Sequence, residues 1–381
     1  MTNASMSIGK PEAGAHAPGK LILSGEHSVI YGAPALAIAI ARYTEVWFTP
    51  MGLGTGLSTA FANLSSGATY PLQLLSKFKS SLDSRFDQFA RGELKVQEVL
   101  RQPDDLAVYT LASLLQDKPA NRDAIPGFGA MGALPSPGEL GSRSDLPVGA
   151  GMGSSAAIVA ATTVLFEGLL KRPKTEDERL ERVRFCERLK HGVAGPIDAS
   201  AVVRGGLVQV ESAQKSANAC GLPAGHSLVT GDGWFWVLHG RPVTGTGECV
   251  SAVRAAHSKD HALWADFAAC TRAIEAALLS RNDPSAALTE NQRLLERIGV
   301  VPEATQSFVR AVEAAGGAAK ICGAGAVRGD KGGTVLVRLE SAEAMKALMS
   351  DHPGMAWDKL QMSPTGAAAG PAPKPVQGFV G

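Results

Sequence analysis

The residues with the types and spacing to do chemistry fall into a glycine-rich run and a few isolated charged side chains. The run is Asp145-Leu-Pro-Val-Gly-Ala-Gly-Met-Gly-Ser-Ser-Ala-Ala157. Gly149, Gly151 and Gly153 let the backbone take positive φ and approach a ligand closely, because no Cβ stands in the way. Ser154 and Ser155 are helix N-cap types, and the apolar stretch Ala156 to Phe166 predicts a helix directly after them. Such a junction exposes unpaired N–H groups at the positive end of a helix dipole, which suits a phosphate. It is not a P-loop, since no lysine follows Gly153. Nor is it a dinucleotide fingerprint: the spacing is Gly-x-Gly-x-Gly, and Gly141 to Pro147 does not read as a preceding strand.

The charged candidates sit on turns. Lys20 opens a short strand, Leu21 to Leu23, and Glu26 and His27 occupy the turn after it. Together they could bind a small acidic, hydroxylated substrate; the commoner reading of this segment alone is that Lys20 is a solvated strand end and Glu26-His27 a helix cap. Asp198 lies between Ile197 and Ala199, where a lone acid is either a cap or a buried functional carboxylate. Thr246 begins another predicted helix.

These groups need elements to hold them. A strand is predicted at Thr44 to Thr49, and two or three surface helices between Leu72 and Gln116. Asn121 to Leu146 reads as mostly loop, Glu176 to Lys190 as a helix, and Leu207 to Glu211 and Trp234 to Leu238 as strands. Helices follow at His261 to Ser280, Ser285 to Ile298 and Pro302 to Ala315. The chain then reads strand (Ala318 to Cys322), glycine loop, strand (Thr334 to Leu339) and helix (Ala342 to Ser350). Domain expectations are a flexible tail over 1–15, an N-terminal domain over 16–205, a C-terminal domain over 206–362 and a loose tail over 363–381.

Composition narrows the class. The chain has 381 residues and 39.5 kDa, with 45% hydrophobic and 19% charged residues, which is globular and large enough for two domains. Thirty-seven Lys and Arg against 36 Asp and Glu leave a net charge of +1, so no basic field argues for nucleic acid or an anionic membrane. Five scattered cysteines without a Cys-x-x-Cys pair read as reduced residues of a cytoplasmic protein. Neither a signal core nor a membrane-spanning run is read from the sequence.

Three segments taken in order are more specific than any one of them. They are Pro18-Gly-Lys-Leu-Ile-Leu-Ser-Gly-Glu-His27, Pro147-Val-Gly-Ala-Gly-Met-Gly-Ser-Ser-Ala-Ala157, and Lys320-Ile-Cys-Gly-Ala-Gly325 followed by Gly332-Gly-Thr-Val-Leu336. The set resembles the three signature motifs of the GHMP kinases. Within that group, Gly25-Glu-His-Ser-Val-Ile-Tyr-Gly32 and the step from Glu187 to Asp198 are similar to the mevalonate kinases. The resemblance implies a two-domain α/β (α+β) fold, with a mixed sheet in the N-terminal domain and a helix-covered antiparallel sheet in the C-terminal one. It implies that Asp198 accepts or orients the proton of a substrate hydroxyl and that Lys20 lies beside it. Glu26 and His27 would contact the acceptor. Gly149, Ala150, Gly151, Met152, Gly153, Ser154 and Ser155 would wrap the ATP phosphates, Ser155 with Glu187 would hold Mg2+, and Thr246 would stand on the nucleotide side. The acceptor implied is the 5-hydroxyl of (R)-mevalonate, and a homodimer is a family expectation.

Two departures bear on the acceptor. Ala326 to Lys331 interrupts the third glycine run, and Pro196 sits late in a segment that lacks the usual Pro-Ser-Gly. The alternatives are another acceptor, such as phosphomevalonate or a sugar, and a non-catalytic nucleotide-binding protein on the same fold.

Overall fold

Two long strands, β1 (Ala13–Ser24) and β2 (Ala35–Pro50), pair antiparallel along nearly their whole length and carry the rest of the N-terminal layer. The structure is a computed structural model and describes residues 13–374, apart from 53–55, 63–66, 118–133, 135, 148, 212–217 and 224. The near-continuous apolar run of β2, from Ala35 to Ile40, is what a strand covered on both faces requires, and it is buried throughout. On the side away from β1, β2 serves two partners in turn. Its second half pairs with β5 (Gly138–Ser144), and its first four residues pair with β6 (Leu207–Val210). Strands β3 (Leu57–Phe61), β4 (Thr69–Tyr70) and β7 (Asn218–Cys220) extend these two arms, with β3 parallel to β5 and the other pairings antiparallel.

Against this mixed sheet pack α3 (Ser154–Leu169) and α5 (Pro196–Arg204); α2 (Asp105–Gln116) and α4 (Glu176–His191) pack on α3, and α1 (Leu75–Ala90) on α2. A Thr175/Glu178 capping box starts α4, and Pro196 occupies the first turn of α5, where its missing N–H costs nothing.

The second layer is an antiparallel sheet of order β11-β8-β10-β9, with β8 at Trp234–Leu238, β9 at Ala318–Cys322, β10 at Thr334–Arg338 and β11 at Ala356–Lys359. The helices of this half are α6 (Ser227–Thr230), α7 (Thr246–His257), α8 (His261–Leu279), α9 (Ser285–Arg297), α10 (Glu303–Ala314) and α11 (Ala342–Ser350). Their amphipathic faces contribute to the same contiguous apolar core as the first sheet. A buried polar seam also joins the halves: Ser24 Oγ lies 2.6 Å from Thr271 Oγ1 and accepts from Asn291 Nδ2 at 2.8 Å.

Several expectations are corrected. Within the stretch read as loop, residues 138–144 form β5, an interior strand; 118–133 and 135 lie outside the described residues. Its glycines mimic loop composition, but a Cβ on Gly141 would fall 2.2 Å from the Trp47 ring and one on Gly138 2.4 Å from Phe48, so they make room for the aromatics of β2. A strand therefore does precede the glycine-rich run, although the spacing argument against a dinucleotide site stands. Helix α2 is no surface helix, since Asp105 through Leu115 are all buried. Because β6 and β7 join the first sheet, that layer reaches Cys220 rather than ending near Gly206. The loose tail expected from 363 on is docked at its start: Ser363 is fully buried, and β12 (Ala368–Ala369) pairs with β1. At the other end the first strand already begins at Ala13, inside the segment read as a tail.

Candidate active site

The site grows out of an irregularity in the pairing of β1 with β2. The register shifts twice, between Pro18 and Gly19 and again between Ile22 and Ser24; at the first shift Ala41 and Arg42 of β2 are the extra residues, and Lys20 directly follows it on β1. On the free edge of β1 the Lys20 N–H donates to the carbonyl of Met152 at 2.9 Å, so the glycine-rich run lies against the strand. Gly19 permits this approach: a Cβ there would meet the Met152 oxygen at 2.8 Å and Leu146 at 2.4 Å. The loop in turn lies on the lysine stem, since a Cβ on Gly153 would stand 2.7 Å from Lys20 Cγ.

Within the loop the residues alternate in role. Ala150 and Met152 are buried anchors, with the Ala150 carbonyl accepting from Thr334 Oγ1 of β10 at 2.6 Å, while Gly149 and Gly151 are exposed. Gly149, Gly151 and Gly153 all have positive φ, as their spacing suggested. The N-cap of α3 is Gly153 itself; Ser154 and Ser155 are the first two helical residues, which corrects their reading as caps. Among the described residues no protein acceptor is found for the N–H groups of Gly151 to Ser155. They are what an anion would meet at the end of α3.

Lys20 Nζ lies 3.0 Å from Asp198 Oδ1, in the first turn of α5; the lysine side chain is 6% exposed and the aspartate 32%. The acid is thus half-open and held by a nearly buried cation. Ser155 Oγ donates to Glu187 Oε2 at 3.2 Å, joining the start of α3 to the C-terminal half of α4, and His191 Nε2 lies 3.5 Å from the same oxygen. Glu187 is buried, and among the described residues its Oε1 has no partner. One carboxylate oxygen is thereby open to accept a hydrogen bond or coordinate a cation.

Glu26 and His27 face the second layer. The Glu26 carboxylate pairs with Lys320 of β9 at 2.6 Å, and His27 Nε2 bonds the Ala324 carbonyl at 3.1 Å. Burial holds the His27 ring below the usual imidazole range, against the opposing pull of the Ala324 bond. Lys20, Asp198 and the loop are therefore brought together, as are Ser155 with Glu187 and Glu26-His27 with the third glycine segment. Thr246 stands apart, exposed at the first residue of α7 with no bond to the loop. Instead Arg241, in the connection before it, lies beside Gly149, whose Cβ would stand 3.6 Å from Arg241 Cδ.

Two residues escape the sequence reading. A lone lysine in the buried strand Ala-Ala-Lys-Ile-Cys is itself a signal, since such a charge needs a partner, and Lys320 has one in Glu26. Arg241 carries no comparable signal. The charged interruption in the third motif ties back to α7, with Arg328 Nε donating to Glu248 Oε1 at 2.8 Å.

Residues 124–206 match the family described as GHMP kinases N terminal domain. The fold is that of the GHMP kinases: the mevalonate kinase of Methanococcus jannaschii superposes with a TM-score of 0.71 at 18% identity, covering 93% of this chain and 99% of that one. A galactokinase of Lactococcus lactis, solved with galactose, gives 0.64 at 13% identity, covering 93% and 94%. Within that class the chain is similar to mevalonate kinases, being 29% identical to that of Thermococcus onnurineus over 197 residues, which are 52% of this chain and 51% of that protein. The matched stretch thus spans about half the length of that relative.

Proposed function

We propose that the protein is an ATP-dependent kinase that transfers the γ-phosphoryl group to the 5-hydroxyl of (R)-mevalonate, giving 5-phosphomevalonate and ADP. The observation that carries this is the Lys20–Asp198 pair at 3.0 Å, with Lys20 lying directly under Gly153 of the phosphate loop. Phosphoryl transfer asks a protein for positioning and charge stabilisation. The loop Gly149 to Ser155 wraps the phosphates, which its N–H groups from Gly151 to Ser155 receive, and Lys20 neutralises charge on the transferring group. Asp198 accepts the hydroxyl proton as the alcohol oxygen bonds to phosphorus and the bond to the ADP oxygen breaks. On this reading Thr246 and Arg241 flank the nucleotide.

Mg2+ fits the residues at Ser155 and Glu187. The orphaned Glu187 Oε1 and the Ser155 hydroxyl offer hard oxygen donors at the start of α3. Among the described residues no three His, Cys, Asp or Glu gather as a metal cluster. A magnesium ion that keeps waters and phosphate oxygens needs no such cluster. Bound there, it would supply charge neutralisation for the nucleotide phosphates.

The fold is shared with a galactokinase, so the acceptor must be argued from the side chains. A phosphorylated acceptor would want a free cation near Glu26. Lys320 is at hand, but Glu26 Oε1 and the carbonyls of Ile321 and Ile22 take all three of its hydrogens. That favours an uncharged hydroxyl group at this end of the site. Among the described residues no helix is long and apolar enough to cross a membrane, and the cysteines are free; a cytoplasmic location is proposed with the enzyme.

The test is ADP release with Mg·ATP against mevalonate, phosphomevalonate, galactose and homoserine. Turnover confined to mevalonate is expected. ATP binding without turnover on any of the four would leave a nucleotide-binding protein and overturn the assignment.

A further inference from the structure

One buried ion pair joins the turn after β1 to β9. The side chains of Lys320 and Glu26 are 0% and 1% exposed, with Lys320 Nζ 2.6 Å from Glu26 Oε1. Nζ also lies 2.6 Å from the Ile321 carbonyl and 3.3 Å from that of Ile22, which completes its three bonds. The second oxygen, Glu26 Oε2, is buried without a partner among the described residues. His27 is fastened to the same wall through Ala324. A carbonyl can only accept, so the hydrogen sits on Nε2, and in the neutral ring Nδ1 is left as a bare acceptor. It too is buried and unpaired. A buried ion pair is a poor source of stability compared with apolar residues of the same volume, and two orphaned acceptors beside it add a further cost. The arrangement makes physical sense if a ligand brings a hydrogen to one of those two atoms.

We propose that Lys320 is a positioning residue: with the Ala324 carbonyl it clamps the Gly25–His27 turn to the third glycine segment, so that Glu26 Oε2 and His27 Nδ1 are held in place as acceptors and one of them takes the single hydrogen of a second hydroxyl of the acceptor substrate. The protein then selects alcohols that carry a hydroxyl besides the one phosphorylated. That the turn faces an acceptor alcohol rests on the function proposed above. The clamp itself rests on the contacts just given.

Two measurements separate these claims. In wild-type protein labelled with 15N-histidine, the His27 signal, assigned by its loss in His27→Gln, is expected as a single Nε2–H tautomer at pH 7.5. In Lys320→Met it is expected to exchange between tautomers. A Nδ1–H ring or an imidazolium in the wild type, or an unchanged single tautomer in the variant, overturns the clamp whatever the substrate proves to be. The second measurement compares mevalonate with its 3-deoxy analogue. Wild type is expected to prefer mevalonate at least 100-fold in kcat/KM. Lys320→Met is expected to lose most of that preference through acceptor KM, with the KM for ATP within threefold. A preference retained in the variant overturns the role of Lys320. Should Lys320→Met not fold, Glu26→Gln/Lys320→Met removes both charges at nearly constant volume, and a retained preference there overturns the proposal equally. Absence of turnover on mevalonate, with the tautomer result as expected, would overturn the proposed substrate and leave the clamp standing.

Discussion

Lys20 meets the glycine-rich loop twice, through its N–H to the Met152 carbonyl at 2.9 Å and through its stem beneath Gly153, before its ammonium reaches Asp198 at 3.0 Å. Strand, loop and acid are thus located by one residue, and the acid can be changed without disturbing the other two. Asp198→Asn keeps the volume and the packing in α5 but removes the proposed proton acceptor. It is expected to lower kcat by about 10²–10⁴-fold while the dissociation constant for ATP changes little. Steady-state kinetics with equilibrium nucleotide binding checks this. An equal loss in both would mean that Asp198 acts by holding Lys20 in place.

Ser155 and Glu187 give a different signature. Glu187→Gln keeps a hydrogen-bond acceptor for Ser155 Oγ but removes the charge, and the orphaned Oε1 loses its strength as a cation ligand. The variant is expected to need several-fold to tenfold more Mg2+ for half-maximal rate, with Tm close to wild type. A magnesium titration of the rate checks it, and an unchanged Mg2+ requirement would remove Glu187 from the metal site.

Gly153 tests the contact between loop and lysine. Alanine there must adopt a φ of +75° and place its Cβ 2.7 Å from Lys20 Cγ. The left-handed conformation costs about 1 kcal/mol for a residue with a side chain. The lysine stem must shift as well. Gly153→Ala is expected to lower Tm modestly but kcat/KM by 10-fold or more, because Lys20 is displaced from Asp198. A stability loss with unchanged kinetics would separate the loop from the chemistry. By contrast Gly92→Ala, at a positive φ with open space around it, is expected to affect stability alone.

How much of this was legible follows the range of each signal. Local patterns carry the glycine-rich loop before α3, the helices of the second half and strands such as Ala318–Cys322, because capping residues, prolines and apolar periods act within a few residues. What failed was whatever depends on a distant partner. β5 reads as loop because Gly138 and Gly141 answer to aromatics of β2 nearly a hundred residues earlier. α2 reads as a surface helix because its cover comes from α1, α3 and α4. In the site, Lys20, Glu26, Asp198 and Glu187 were singled out from turn positions and from the family resemblance, whereas their pairings were not. Neither the step from Glu26 to Lys320 nor that from Gly149 to Arg241 has a local trace. Thr246 rests on the family resemblance alone, and among the described residues no hydrogen bond joins it to the loop.

The buried histidines set the response of the fold to acid. His27, His226 and His239 are each held below the usual imidazole range, chiefly by burial; nearby cations, Arg281 for His226 and Lys331 for His239, add to it. Because the folded-state values are depressed, the unfolded chain binds more protons as pH falls through about 6.5, the ordinary imidazole value. Stability is then fully present above that pH and declines as pH falls below it. Carboxylates shifted in the folded state, such as Asp232 with its bonds from Thr230 and Lys359, lose their contribution only below about pH 4, the ordinary carboxylate value. The interval from pH 7.5 to 5.5 therefore isolates the imidazoles. Tm is expected to fall across it, and the fall is expected to be shallower in His239→Gln, which keeps a polar partner for Thr305 without a titrating ring. A Tm that stays level from pH 7.5 to 5.5 in the wild type would mean that these rings are protonated in the folded protein as readily as in the unfolded chain.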